Sequence, residues 1–378
     1  MPERLRLCIV ITALGVGGAE HALLRLLSRF DREQFDISMI VLGREDALAE
    51  RFAQIGVRLT MLRLTPGRWP FGEVERFLQA VRAINPDVIQ GWMYHGNLAA
   101  SFAAARLQKS VPICWSVRDT PDAQHGHSLF TRMVIRLSGW YAQRTAKIFN
   151  VSSRSAAYCA EHLGWPSAQT EILPNGVDTA LFVPNSATRL AMRTSWGVSS
   201  DCPLIGMVAR WSPVKNHALF LDAAADLCRK RPHARFALVG AGLDSTNAVL
   251  MAQVRRLDLA DKVRLLGPRD DLQNIYPAFD VVALTSKSEG FPNVLAEAMS
   301  CGVPVVSTDV GDARDIVGDG GLIVPATPQA FSAAFERLLD QAIHARLSAS
   351  ARSRIQERYA LDAIAARLEQ SYRMLVAR

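Results

Sequence analysis

Ser288-Glu-Gly-Phe-Pro-Asn-Val-Leu-Ala-Glu-Ala-Met-Ser-Cys-Gly-Val-Pro-Val-Val-Ser-Thr308 is the stretch on which the reading of this chain turns. It follows Asp280-Val-Val-Ala-Leu-Thr285, an apolar run of the length and composition of a buried strand. Pro292 suits the first position of a helix and Gly302 the residue just past its end. Between them Val294, Leu295, Ala298 and Met299 make an apolar stripe at helical spacing, and Val303 to Ser307 reads as the next buried strand. The order strand, helix, strand predicts an α/β fold. It puts Glu289 in a strand-to-helix loop and Glu297 about a turn and a half inside the helix.

A helix start offers free N–H groups and the positive end of a dipole, which together favour a diphosphate. The five residues from Pro292 to Glu297 rise by about 7.5 Å, near the distance from a pyrophosphate to the ribose hydroxyls of a nucleotide. A carboxylate at that point can accept hydrogen bonds from a ribose diol. Glu289 then faces whatever lies beyond the phosphates.

Upstream, Leu204 to Ala209 is a strand leading into Arg210-Trp-Ser-Pro-Val-Lys215-Asn-His217, with Leu219, Phe220, Ala223 and Leu227 marking a helix. An Arg and a Lys five apart in such a loop can both reach one diphosphate, the first as a fork and the second as a point charge. Phe236 to Gly240 and Val263 to Leu266 are further strands, and three helices follow Gly311 to Pro325: Gln329 to Ala342, Ala345 to Tyr359 and Ala363 to Val376. The first half has the same alternation. Leu5 to Leu14 is a strand ending in Gly15-Val-Gly-Gly-Ala-Glu20, where glycines let the backbone approach a phosphate or sugar. The spacing is not Gly-x-Gly-x-x-Gly, since position 20 is Glu, which speaks against a nicotinamide dehydrogenase. Strands at Phe35 to Leu42 and Leu59 to Leu64 and a helix at Phe71 to Ile84 lead to Pro86-Asp-Val-Ile-Gln-Gly-Trp-Met-Tyr-His-Gly-Asn97. There His95 sits at a strand end, in a loop before a helix, where α/β sheets place ligand contacts. Ile113 to Val117 is another strand, and Lys147 to Ser152 is expected to be the last of this half.

Glu289-Gly-Phe-Pro-Asn-Val-Leu-Ala-Glu297, with Ala-Met-x-x-Gly-x-Pro-Val after it, resembles the signature of the retaining family 4 glycosyltransferases. So do Gly-Gly-Ala-Glu20, the segment around His95, and Ile172-Leu-Pro-Asn-Gly-Val-Asp178 with Phe182 and Pro184. The resemblance runs from Gly17 to Pro325. It implies a GT-B fold: two Rossmann-like doubly wound domains facing across a cleft, here 1–183 on the acceptor side and 184–360 binding the nucleotide sugar. A C-terminal helix, 361–378, then crosses back to the first domain. It implies transfer of a sugar from a nucleoside diphosphate sugar to an acceptor hydroxyl with retention of configuration. Arg210 and Lys215 would hold the leaving diphosphate, Glu297 the ribose, Glu289 the sugar ring, and His95 the sugar or acceptor. Gly17, Gly18, Gly290, Phe291, Asn293 and Val294 would line the donor. Family frequency favours UDP, and a lipid-linked or polysaccharide precursor is the acceptor class. No cofactor or metal is required, and no Asp-x-Asp motif occurs. The rivals are a sugar-nucleotide 2-epimerase and a non-catalytic protein of the same fold.

Composition agrees with two cored domains: 378 residues, 49% hydrophobic and 21% charged, with no apolar run long enough for a transmembrane helix. The apolar Cys8 to Val16 reads as a strand rather than a signal peptide. Six scattered cysteines have neither metal nor disulfide-scaffold spacing and are expected to be reduced core thiols in a cytoplasmic protein. The formal charge of +7 is concentrated in residues 101–160. There Arg106, Lys109, Arg118, Arg132, Arg136, Arg144, Lys147 and Arg154 are opposed only by Asp119 and Asp122. Such a field suits an anionic membrane surface on its inner face or a phosphate-bearing acceptor, or else marks solvated helix faces. Nucleic acid is disfavoured, since no aromatic-interleaved basic run appears. Trp69 beside Arg68 is either a packed loop aromatic or an interface contact, and the loop Pro121 to Ser128, with His125 and His127, is expected to line the acceptor side.

Overall fold

The computed structural model describes residues 4–64, 71–120 and 128–377. The expectations for Arg68 and Trp69 and for the loop carrying His125 and His127 lie outside the described residues. The chain forms two compact units, Met1–Gly176 with Leu361–Arg378, and Val177–Ala360.

Unit 1 is built on seven parallel strands: β1 (Leu5–Ile11), β2 (Phe35–Val41), β3 (Arg58–Met61), β4 (Val88–Trp92), β5 (Ile113–Val117), β6 (Lys147–Asn150) and β7 (Thr170–Ile172). Their order is β3-β2-β1-β4-β5-β6-β7. β1 is apolar at nearly every position because both of its faces are covered. Leu7, Ile9 and Ile11 face a cluster that includes the helix Gly18–Leu27. Cys8 and Val10 face another, with the helices Phe71–Ile84 and Met93–Ala104. The last helix, Leu361–Val376, belongs to this unit: Ile364, Ala365, Leu368 and Tyr372 enter the first cluster, and the Tyr372 hydroxyl donates to Gln90 Oε1 at 2.9 Å.

Unit 2 has six parallel strands: β8 (Leu204–Val208), β9 (Arg235–Val239), β10 (Val263–Leu265), β11 (Val281–Leu284), β12 (Val305–Ser307) and β13 (Gly321–Ile323), ordered β10-β9-β8-β11-β12-β13. The helices His217–Lys230 and Pro328–Leu338 pack Phe220, Leu227, Phe331 and Phe335 against Ile205, Phe236 and Val281.

Three expectations change. β6 is not the last strand of its half, because β7 follows; it is three residues long and only half-buried, so it carries no strand-like hydrophobic pattern. His95 does not lie in a loop. β4 passes straight into the helix Met93–Ala104, because Met93 takes a left-handed conformation (φ 62°) that turns the chain in one residue. Gly96 allows this, since a Cβ there would stand 2.4 Å from the carbonyl oxygen of Val10. Pro292 caps the helix Asn293–Ser300 rather than opening it, a shift of one residue.

In unit 2, Asp280 joins the starts of two central strands. Its Oδ2 accepts from the Leu204 N–H at 2.7 Å and from Arg193 at 2.7 Å, and its Oδ1 accepts from Arg189 at 2.5 Å. Arg193 is 1% exposed and also donates to the carbonyls of Ala278, Ser199, Ser200 and Cys202. Removing Arg193 leaves Asp280 with Arg189 alone and strips the carbonyls of Ala278, Ser199, Ser200 and Cys202 of a buried donor. Arg193→Met is therefore expected to cost about 3–5 kcal/mol in urea unfolding. Arg58→Ala, which breaks the exposed pair with Asp36, is expected to cost under about 1 kcal/mol.

Candidate active site

In unit 2 the strand order reverses between β8 and β11. Ligands of open α/β sheets bind at such a point, outside the carboxyl ends of the strands. The loop after β8 carries Arg210 and Lys215, and the loop after β11 carries Glu289 and Gly290. Hydrogen bonds join the two. The Thr285 hydroxyl, just past the end of β11, donates to the carbonyls of Lys215 (2.9 Å) and Asn216 (3.1 Å), and the Lys287 N–H donates to Val214 O at 2.8 Å. Asn216 sits at φ 54° and turns the chain into the helix His217–Lys230.

That arrangement brings Lys215 Nζ to 2.5 Å from Glu289 Oε1, with the Ser286 hydroxyl donating to the same oxygen at 2.6 Å. The loop after β12 closes on it. Gly311, at φ 51°, comes so near that a Cβ would meet the Gly290 carbonyl oxygen at 2.3 Å, and the Asp312 N–H donates to that oxygen at 3.2 Å. Arg210 is exposed. Asn293 and Val294, in the first turn of their helix, are half-buried, and no acidic residue competes for that helix start. Phe291 turns its ring toward Tyr359, 5.7 Å between centroids. Glu297 is 6% exposed, and the Tyr276 hydroxyl donates to its Oε2 at 2.9 Å.

Unit 1 reverses its order between β1 and β4, and the remaining expected residues lie there. Gly17 caps the helix that begins at Gly18, and the Trp92 indole N–H, at the end of β4, donates to the Ala19 carbonyl at 3.2 Å. Burial raises the Glu20 carboxyl above the usual range. His95 is half-buried and stacks on Phe130 at 5.6 Å. The neighbouring Tyr94 hydroxyl donates to Asp119 Oδ1 at 2.5 Å, and Asn97 is bonded to both backbone groups of Ser116.

The sequence reading did not find Tyr276 or Ser286, the partners of the two glutamates, or the burial of Arg118. Arg118 is no part of a surface field. It is buried, donates to Leu173 O at 2.7 Å and to Ser116 Oγ at 2.9 Å, and lies 4.6 Å over the Trp92 ring. Burial lowers its pKa to about 9. For Ser286, its position three residues before Glu289, at a strand end, was the only signal available.

The Lys215 loop also carries a titration. His217 is 2% exposed and packs, tilted, against Trp211 with 4.9 Å between ring centroids, and its Nε2 has no hydrogen-bond partner among the described residues. Burial lowers its pKa from 6.5 to about 4, against a hydrogen bond with the Ala209 backbone and helped by the charge of Lys215. Below pH 6.5 the unfolded chain takes up this proton and the folded one does not until about pH 4. Stability is therefore intact above that window and falls as the pH drops through it, by at most about 1.4 kcal/mol per pH unit. His217→Gln is expected to make this decline shallower in denaturant titrations across the same window.

Residues 16–181 match the family described as Glycosyltransferase Family 4, and residues 202–341 match Glycosyl transferases group 1. The D-inositol 3-phosphate glycosyltransferase of Kineococcus radiotolerans is 38% identical over 197 residues, 47% of this chain but only 45% of that protein. The chain thus spans less than half the length of that relative. The putative glycosyltransferase EpsF of Bacillus subtilis is 26% identical over 315 residues, 80% of this chain and 79% of its own. Among solved structures, Anabaena HepE in complex with UDP and glucose superposes with a TM-score of 0.82 at 22% identity, covering 97% of this chain and 99% of that one. The sucrose-phosphate synthase of Thermosynechococcus elongatus gives 0.78 at 20% identity, covering 98% and 99%. Two parallel-sheet units, matched in order by two glycosyltransferase models and aligned along their whole length with such structures, place the chain in the family 4 glycosyltransferases, with the GT-B fold.

Proposed function

We propose that the protein is a retaining glycosyltransferase that moves a sugar from a UDP-sugar to a hydroxyl of a lipid-linked or polysaccharide-precursor acceptor. The observation that carries this reading is the cluster of Lys215, Glu289 and Ser286 beside the start of the helix Asn293–Ser300. It supplies an ammonium, a carboxylate and the positive end of a helix at the sheet's switch point, which is the set a departing diphosphate and a cationic sugar require. The UDP bound to HepE supports the choice of base.

In this reading the bond from the anomeric carbon to the diphosphate oxygen breaks, and its electron pair leaves with the diphosphate. Arg210, Lys215 and the helix start stabilise that charge. Glu289 orients the sugar and balances the positive character of its ring, and Glu297 accepts from the ribose hydroxyls. The acceptor oxygen bonds to the same face, and its proton goes to the departing diphosphate. His95 binds the sugar or the acceptor. No residue is assigned as a covalent nucleophile. Gly17, Gly18, Gly290, Phe291, Asn293 and Val294 are the proposed donor-lining residues, the phenylalanine through its backbone.

Thermal-shift measurements with UDP, GDP and ADP test the binding half. UDP at a hundred times its dissociation constant is expected to add about 2.7 kcal/mol of stability, and the shift is expected to shrink in Glu297→Gln, which keeps an acceptor for Tyr276. No stabilisation by any of the three would overturn the reading. For the chemistry, Lys215→Ala is expected to lower kcat by about 100- to 1000-fold, and NMR of the product is expected to show the donor's anomeric configuration. Turnover of donor without transfer to an acceptor would point instead to an epimerase.

A further inference from the structure

The helix Leu129–Ala142 of unit 1 has one face too apolar for water. Of the twelve large hydrophobic side chains exposed among the described residues, five are on this helix: Leu129 (82%), Phe130, Met133, Leu137 and Trp140 (61%). At about 100° per residue they fall within an arc of roughly 100°. The opposite face is used. Val134, Ile135 and Ala142 pack into the cluster of Tyr94, Trp115 and Trp165, and the Trp165 indole donates to Ser138 Oγ at 3.0 Å. The helix is therefore anchored on one side while its outer apolar face is left exposed among the described residues, and contiguous apolar surface of this kind marks a partner.

Charge selects among partners. Arg132, Arg136 and Arg144 are exposed beside the stripe, with Arg144 lying 3.7 Å over the Trp140 ring, and no acidic residue stands between Asp122 and Glu161. A second copy of the chain meeting this face about a two-fold axis would bring these arginines against their own counterparts. An anionic bilayer presents the complement of both halves: phosphate headgroups for the arginines, hydrocarbon for the leucines, and an interfacial depth for Trp140. Fourteen residues are too few to span a bilayer, so the helix lies in its surface.

We infer that the helix Leu129–Ala142 docks the protein on an anionic membrane, inserting Leu129, Met133, Leu137 and Trp140 among the lipids. Phe130, at the start of the same helix, stacks on His95. Docking therefore brings the histidine proposed to meet the acceptor to headgroup depth. This last step rests on the proposed function; the docking does not.

Flotation of the full chain with vesicles tests it without any turnover. Vesicles of equal parts phosphatidylglycerol and phosphatidylcholine are expected to carry the protein, phosphatidylcholine alone to carry little, and high salt to release it. Leu137→Glu with Trp140→Glu is expected to reduce the bound fraction about tenfold or more. Val249→Glu, at an exposed apolar site of unit 2, is expected to leave it unchanged. Since all three side chains are exposed, melting temperatures are expected to stay near wild type. Failure to float, or flotation indifferent to the double substitution, overturns the inference. So does a dimer in sedimentation that the double substitution dissolves, which would assign the face to a second copy. UDP stabilisation measured on the same samples separates the two claims: its loss with flotation intact overturns only the function, and the converse only the docking.

Discussion

In a parallel sheet every connection returns over one face, and neighbouring strands whose connections take opposite faces leave their carboxyl ends uncovered between them. That constraint governs both units of this protein. β1 and β4 flank the gap in one, β8 and β11 in the other. Every residue proposed to meet sugar, phosphate or ribose sits after one of these four strands. The sheets need apolar strands and covering helices for stability, and the position of the loops follows from the order of the strands.

The two glutamates are held by different physics. Glu289 shares its Oε1 between an ammonium and a hydroxyl, so its charge is balanced before any ligand arrives. In the proposed reaction Lys215 turns from this carboxylate to the diphosphate, which would leave Glu289 more negative beside the sugar. Glu297 meets the neutral Tyr276 hydroxyl in a buried setting. Its anchor fixes one oxygen and is not drawn away by an anion.

Much of this was legible in the sequence, and the illegible parts share a cause. Pro292 and Gly302 frame their helix within one residue because backbone chemistry at a cap is local. Arg210, Lys215, Glu289 and Glu297 were legible because strand-to-helix loops are read from the apolar runs beside them. Tyr276 was not: it stands 21 residues before its partner in a 3₁₀ turn, and only the packed fold joins them. Arg118 passed for a surface charge because sequence does not distinguish a buried guanidinium, held by a carbonyl, a hydroxyl and an aromatic face, from a solvated one. The outer stripe of Leu129–Ala142 escaped for the converse reason, since apolar residues in a helix are expected to face a core.

Met93 bends β4 into its helix within a single residue, which leaves no loop to lengthen or shorten. An inserted residue would rotate the whole helix by about 100°, carrying Asn97 away from Ser116 and replacing Gly96 with a bulkier residue against the Val10 carbonyl of β1. A change in what this corner contacts must then come from side chains around a rigid turn rather than from its length. Diversity at this corner is a matter of spelling, and the same holds for anyone redesigning it.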